Sequence, residues 1–429
     1  MSWRYRIIDL VRRTRSLEGY RRLCAGDGLG DWRLRQRRAL GELLVSLQRH
    51  NPFYGSLLRG VKEATLREEP EEALYSLPVM DKTRVSEHRD ELYAPPSGYP
   101  PPARRRTGGS TGSPFEYYVD ADTTCRARAY LLFCWHRCAG YEPGDPYITV
   151  AGRSLQGEGS FRQSVYRFLQ HNTLVQAHRI GEGALPPSRA LRRARFIFAY
   201  PGALCALLEQ EPGLSKQMAS LGAVFTTSEQ LLPAMRRQIE SMLKVPVYDM
   251  YGANDGGLVS CECGEHAGYH YDPLNTWVES QRTAEGESEL LLTSLNTRSF
   301  PLVRYRVGDV AEVRDMDDCP CGLPWPGIVN LKGRTRDLIR LPDGSRVHGS
   351  LLNAVLADFP EVTRYRIVQE KSGKLSVYVR MTPDTGARAS ERLRNSIREA
   401  CAGLEVEMLS FKEPGGSDDK FRVIESHAV

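Results

Sequence analysis

Between residues 115 and 250 the chain alternates short apolar runs with longer amphipathic stretches. That rhythm limits the fold more than any other feature. Residues 115–119, 146–150, 196–200, 223–227 and 246–250 read as strands. The stretches 121–138, 161–169, 201–210 and 232–243 read as helices. Short apolar strands separated by helices predict an α/β fold with a largely parallel sheet covered on both faces. Such sheets bind ligands beyond the carboxyl ends of their strands, so the residues that follow each strand carry the functional reading.

The flanks differ. Residues 1–95 read as polar and helical, with Leu40, Leu43, Leu44 and Leu47 at helical spacing and Asp81 placed to cap a helix. From Glu287 the rhythm changes to consecutive strands at 288–295, 302–307 and 311–313, a β-rich subdomain. Past a boundary near Asp337 come strands at 365–369 and 375–381, a helix at 387–402 and a strand at 406–411. The expected organisation is an N-terminal domain of residues 1–336 and a small, mobile α+β domain of residues 337–429. A chain of 429 residues that is 41% hydrophobic and 26% charged is ordinary for a soluble protein. A net charge of +5 is mild at this length and speaks against a nucleic-acid partner. No run approaches the ~20 apolar residues that span a bilayer, and the start lacks a signal-peptide pattern. The expected location is the cytoplasm, with no membrane partner.

Several short segments carry chemistry. Thr107-Gly108-Gly109-Ser110-Thr111-Gly112-Ser113-Pro114 follows three arginines. Its glycines allow close backbone approach and its amides and hydroxyls can form an anion site. It lacks the lysine of a Walker A loop. Asp255, in Tyr251-Gly252-Ala253-Asn254-Asp255, follows a strand and suits a hard cation. Asp309 ends a strand and suits ribose hydroxyls. Lys420 sits in a glycine-bearing tail, and Gly333-Arg334-Thr335-Arg336-Asp337 marks the boundary.

Taken in order, these motifs resemble the adenylate-forming superfamily, the AMP-forming acyl-CoA synthetases. The resemblance is greatest to the phenylacetate–CoA ligase-like branch with its capsule-biosynthesis relatives, and it covers nearly the whole chain. It implies that residues 107–114 are the phosphate loop, so that Thr107, Gly108, Gly109, Ser110, Thr111 and Gly112 bind nucleotide. Ser228 and Glu229, with Tyr251 and Gly252, resemble the adenine-side motif. Asp309 resembles the ribose aspartate, residues 333–337 with Arg334 and Asp337 the hinge, and Lys420 the adenylation lysine. Residues 199–204 resemble the branch's Gly-Tyr-Pro-Ser-Ala-Leu stretch. The implied activity is ATP- and Mg²⁺-dependent activation of an aryl or other small carboxylic acid. The acyl group then passes to CoA, an amine or a carrier protein. The resemblance leaves an amide- or ester-forming ligase and a weakly active nucleotide-binding relic as alternatives. A homodimer is one open assembly.

Two positions depart from the pattern: Asp255 stands where the superfamily has glutamate, and Ser113 where it has lysine. The cysteines add a second signal. Cys261-Glu262-Cys263-Gly264-Glu265-His266 and Cys319-Pro320-Cys321 have the spacing of a closed zinc site. Cys263, His266, Cys319 and Cys321 are the expected ligands, with Cys261 as substitute and His270 assigned to core or substrate. The acyl pocket is expected among Tyr130, Trp135, Tyr200, Phe225 and Ala253.

Overall fold

The computed structural model describes residues 3–12, 14–27, 30–98, 100–107, 115–152, 161–183, 185–253, 255–283, 286–334, 338–359, 361–382, 387–411 and 423–428. Contacts divide the chain into two units, each built from two segments. The first comprises Met1–Gly144 with Met250–Leu331, the second Asp145–Asp249 with Lys332–Val429.

The first unit opens with helices. Trp32–His50 buries Leu40, Leu43, Leu44 and Leu47, the face that the periodicity predicts. Burying a leucine contributes about 1.5–3 kcal/mol, so this stripe fixes the helix on its core. Asn51 caps the next helix, Pro52–Leu57, accepting the Tyr54 amide at 3.0 Å. Asp81 caps Lys82–Glu87 through the Arg84 amide at 2.9 Å, as its sequence position predicts.

The antiparallel part of this unit runs in the order Thr276–Arg282, Ser288–Ser294, Tyr305–Arg314, Gly327–Arg334, Tyr269–Tyr271, Leu258–Glu262, Val247–Ala253. The chain passes between the units within the last of these strands and within Gly327–Arg334. The two strands expected at 302–307 and 311–313 are one strand, Tyr305–Arg314, that carries a bulge. Its pairing jumps from Leu291 opposite Arg306 to Glu289 opposite Val310. The bulge takes up the extra residues, and Gly308 adopts φ +79° there. Strands Ala103–Thr107 and Phe115–Val119 pair antiparallel, ending with Thr107 opposite Phe115. The chain linking them is residues 108–114, which lie outside the described residues.

In the second unit the predicted parallel strands form in the order Ala223–Thr227, Phe196–Ala199, Tyr147–Ala151, Asn172–Gln176. The helices Pro201–Gln210 and Pro233–Leu243 follow their strands. The later segment supplies a four-stranded sheet, Val406–Ser410, Leu375–Met381, Val362–Gln369, Ile424–Ser426, and the helices Ser350–Ala357 and Ala387–Ala400. One apolar core takes residues from both segments, including Leu204, Leu208 and Ile239 with Leu352, Tyr365 and Val377.

Candidate functional site

The first unit joins two of the expected positions and sets a third against the strand that carries one of them. Val247–Ala253 carries Tyr251, and the bulge in Tyr305–Arg314 carries Asp309. The Tyr251 hydroxyl donates to Asp309 Oδ2 at 2.7 Å, joining residues 58 apart in sequence. Asp309 is only 6% exposed. A second phenol, Tyr305, donates to Asp255 Oδ2 at 3.0 Å. Asp255 lines a small cavity with Thr123, Ser294 and Thr297. Thr297 Oγ1 lies 2.8 Å from Thr123 Oγ1 and 2.9 Å from Ser294 Oγ, a chain of hydroxyls beside the carboxylate. Burial and then the Asp255 charge push the Tyr117 phenol up.

Glycines make the turn after Asp255 possible. A Cβ on Gly256 would stand 2.3 Å from Leu292 Cδ1, and Gly257 has φ +73°. Gly252 is exposed and Ala253 is buried in the core of this unit. Ala253 therefore packs as core. So do Tyr130 and Trp135 on helix Ala121–Ala139: Tyr130 donates to the His270 carbonyl at 2.5 Å, and the Trp135 indole N–H meets Met250 Sδ at 3.3 Å.

In the second unit Ser228 follows strand Ala223–Thr227 with φ +71°. A left-handed serine is held there at some cost in strain, and it turns the chain so that Glu229 points back. Glu229 Oε2 accepts the Gly202 amide at 3.1 Å, at the first turn of Pro201–Gln210. A carboxylate at a helix N-terminus meets unsatisfied amides and a favourable dipole. The residues 199–204 and the residues 227–229 singled out in the sequence thus meet. Tyr200 precedes that helix and is buried. Phe225 is fully buried, with ring centroids 6.1 Å from Phe196 and 5.8 Å from Tyr248. Arg334 ends its strand, and its carbonyl accepts from His348 Nε2 at 2.9 Å. Gly108, Gly109, Ser110, Thr111, Gly112, Ser113, Asp337 and Lys420 lie outside the described residues, and Thr107 is described by its backbone alone.

The cysteine readings divide. Cys263, Cys319, Cys321 and His270 present ligand atoms within 4.8 Å of one another. His266 does not belong to that group: its Nδ1 lies 3.2 Å from Glu262 Oε2. The histidine of the cluster is thus His270, which sequence spacing had assigned to core or substrate. It sits in strand Tyr269–Tyr271, where Nδ1 lies 2.9 Å from the Trp325 carbonyl. A carbonyl only accepts, so the proton is on Nδ1 and the Nε2 lone pair faces Cys321 Sγ at 3.4 Å. Cys263 Sγ and Cys319 Sγ are 3.7 Å apart. Two thiolates ~2.3 Å from a tetrahedral zinc are separated by roughly 3.8 Å, and a thiolate and an imidazole by roughly 3.5 Å. The donor set and its spacing fit zinc. Burial pushes the Cys321 thiol up to about 12, so it is neutral until a cation displaces its proton. Cys261 belongs elsewhere: it neighbours Cys134 and Cys138 of helix Ala121–Ala139, which together with burial push its thiol up.

No family model matches the sequence. Over 289 residues, 65% of this chain, it is 23% identical to Protein CapK of Staphylococcus aureus. The match spans 63% of that protein's length. Among solved structures, 2-hydroxyisobutyryl-CoA ligase in the postadenylation state with 2-HIB-AMP aligns at a TM-score of 0.70, covering 92% of this chain and 89% of the other at 18% identity. The anthranilate CoA ligase AuaEII in complex with anthranoyl-AMP aligns at 0.52, covering 86% and 78% at 14% identity. Sequence similarity to CapK and the shared fold agree with the motifs: the chain resembles the adenylate-forming superfamily and has the fold of its AMP-forming CoA ligases.

Proposed function

We propose that this protein is an ATP-dependent, AMP-forming carboxylate ligase. One observation carries the reading: the Tyr251 hydroxyl holds the buried Asp309 carboxylate at 2.7 Å. Two motif positions named independently from sequence meet in one charge-assisted hydrogen bond. Such a carboxylate is positioned to accept from ribose hydroxyls, while Ser228, Glu229 and Gly252 serve the adenine side. Residues 107–112 and Arg334 contribute the remaining nucleotide contacts.

In the first step a carboxylate oxygen of the acid attacks the α-phosphorus of ATP. The bond from that phosphorus to the bridging oxygen breaks, and pyrophosphate leaves with the bond's electron pair. Two anions must approach, so a cation has to offset their repulsion. Lys420 has that role. Mg²⁺ supplies charge neutralisation at the phosphates when bound, and Asp255 with the neighbouring hydroxyls offers the oxygen donors a hard cation takes. In the second step a nucleophile attacks the acyl carbon and AMP leaves. CoA is the leading acceptor, with an amine or carrier protein as the alternative. A domain of residues 337–429 turns at Asp337 between the steps. For the acyl group the resemblance points to Tyr200, Phe225 and Ala253, and an aromatic lining suits an aryl or other small acid. Cys263, His270, Cys319 and Cys321 hold a structural zinc that ties the loop at 319–321 to strand Tyr269–Tyr271. No helix among the described residues is long and apolar enough to cross a membrane; a cytoplasmic site of action is part of the proposal.

The test is ATP–pyrophosphate exchange over a panel of aryl, fatty and amino acids. Exchange with at least one acid, abolished in Lys420→Ala, is expected. Undiminished exchange in that variant sinks the proposal, and tight ATP binding with no exchange for any acid favours a relic.

A further inference from the structure

Arg364 and Arg380 face each other as register partners on the strands Val362–Gln369 and Leu375–Met381. Both reach the same ring. Their guanidinium carbons lie 5.0 Å and 5.4 Å from the centroid of Phe411. Phe411 is buried and its amide donates to the Val379 carbonyl at 3.0 Å. In sequence it immediately precedes residues 412–422, which include Lys420.

The same two arginines hold the helix Pro201–Gln210 near both of its ends. Arg380 Nη1 pairs with Glu209 Oε2 in the last turn, and Glu209 Oε1 also accepts from Gln238 Nε2 at 3.1 Å. Arg364 serves the first turn. A Cβ on Gly202 would stand 3.0 Å from Glu229 Oε2 and 3.1 Å from Arg364 Nη2, so all three groups crowd one point. A side chain at 202 would push that carboxylate and guanidinium apart. Arg364 is 2% exposed. A guanidinium buried so fully needs a compensating charge nearby, and the Glu229 carboxylate, crowding the same point at Gly202, is a charge at hand.

We infer that Arg364 and Arg380 are positioning residues that latch the root of the Lys420 segment to helix Pro201–Gln210 for the adenylation step. The inference rests on the two-step reading above. In that reading residues 337–429 turn between steps, so these pairs, with the apolar core that Leu204 and Leu208 share with Leu352, Tyr365 and Val377, hold in adenylation and part for acyl transfer. They bias the chain toward the first step and leave the chemistry of the second untouched.

A charge swap tests this. Arg380→Glu breaks the pair with Glu209, and Arg380→Glu combined with Glu209→Arg rebuilds it with the charges exchanged. Arg380→Gln, which keeps most of the stem, serves if the reversal fails to fold. Hydrogen exchange in the segments 201–210 and 406–411 is read without nucleotide. Pyrophosphate exchange is read with whichever acid of the panel supports it. The single variants should speed hydrogen exchange in both segments together and lower pyrophosphate exchange, each roughly tenfold, and the swap should restore both. Failure of the swap to restore either, or loosening of one segment without the other, overturns the latch. A wild-type protein without pyrophosphate exchange, whose hydrogen exchange still responds to the swap, overturns the ligase reading and leaves the contacts standing.

Discussion

Replacing Tyr251 by phenylalanine removes one oxygen and leaves the ring. The lost contact is the 2.7 Å donation to Asp309, a carboxylate 6% exposed. A hydrogen bond to a charged group contributes ~1.5–3 kcal/mol, and the buried acceptor left behind keeps its desolvation cost. Phenylalanine fills the same volume, and the edge-on contact of this ring with Tyr269, centroids 6.4 Å apart, survives. No cavity term is therefore added. Tyr251→Phe should lose ~1.5–3 kcal/mol of stability, a fall in Tm of roughly 2–3 °C at this chain length. ATP affinity should fall as well, because Asp309 is no longer held for the ribose. The assay is a double-mutant cycle with Asp309→Asn, read by urea unfolding and by ATP titration. Coupling of ~1–3 kcal/mol between the two positions is expected. Additive losses, with no coupling beyond about 0.5 kcal/mol, would refute the claim that the pair acts as a unit.

Other outcomes follow from the same geometry. Gly256→Ala places a Cβ 2.3 Å from Leu292 Cδ1 and 2.9 Å from Leu292 Cβ, and should cost ~1–3 kcal/mol by overpacking, measured by denaturant unfolding. Metal analysis should find zinc in the wild type; His270→Ala should lose it, whereas His266→Ala should keep it. Equal retention in both would remove His270 from the site. Arg104 first, with Arg106 and Arg89, holds the Glu116 carboxyl down from its ordinary 4.5 to about 2. Its folded pKa lies below its unfolded one, so the stability it contributes is present above 4.5 and lost as pH falls toward 2. Glu116→Gln should flatten that acid limb, read as the urea midpoint against pH.

The periodic part of the fold was legible in the sequence for a physical reason. Buried parallel strands are short and apolar throughout, and the runs at 196–200 and 223–227 announced themselves. Leu40 to Leu47 marked one helix face in the same way. The bulge that carries Asp309 was not legible, because Gly308 and Asp309 look like a strand end until the partner strand is known. The cysteine–histidine cluster shows the same limit. Local spacing favours His266, three residues beyond Cys263, but antiparallel pairing of Tyr269–Tyr271 with Leu258–Glu262 and Gly327–Arg334 carries His270 to the cysteines. Tyr130 and Trp135 were placed near a pocket by resemblance, and their polar atoms are engaged by His270 and Met250 instead. Arg364 and Arg380 carried no local signal at all. Their meaning depends on Phe411, Glu209 and Glu229, which only the fold brings near.

Attack of a carboxylate oxygen on the α-phosphorus of ATP is the one bond change on which the proposed function stands. Incubating the protein and Mg-ATP with an ¹⁸O-carboxylate acid that supports pyrophosphate exchange, together with its acceptor, follows that oxygen directly. One labelled oxygen appearing in AMP, with pyrophosphate unlabelled, is the predicted result. Label in inorganic phosphate alongside ADP, or AMP free of label after turnover, would contradict it.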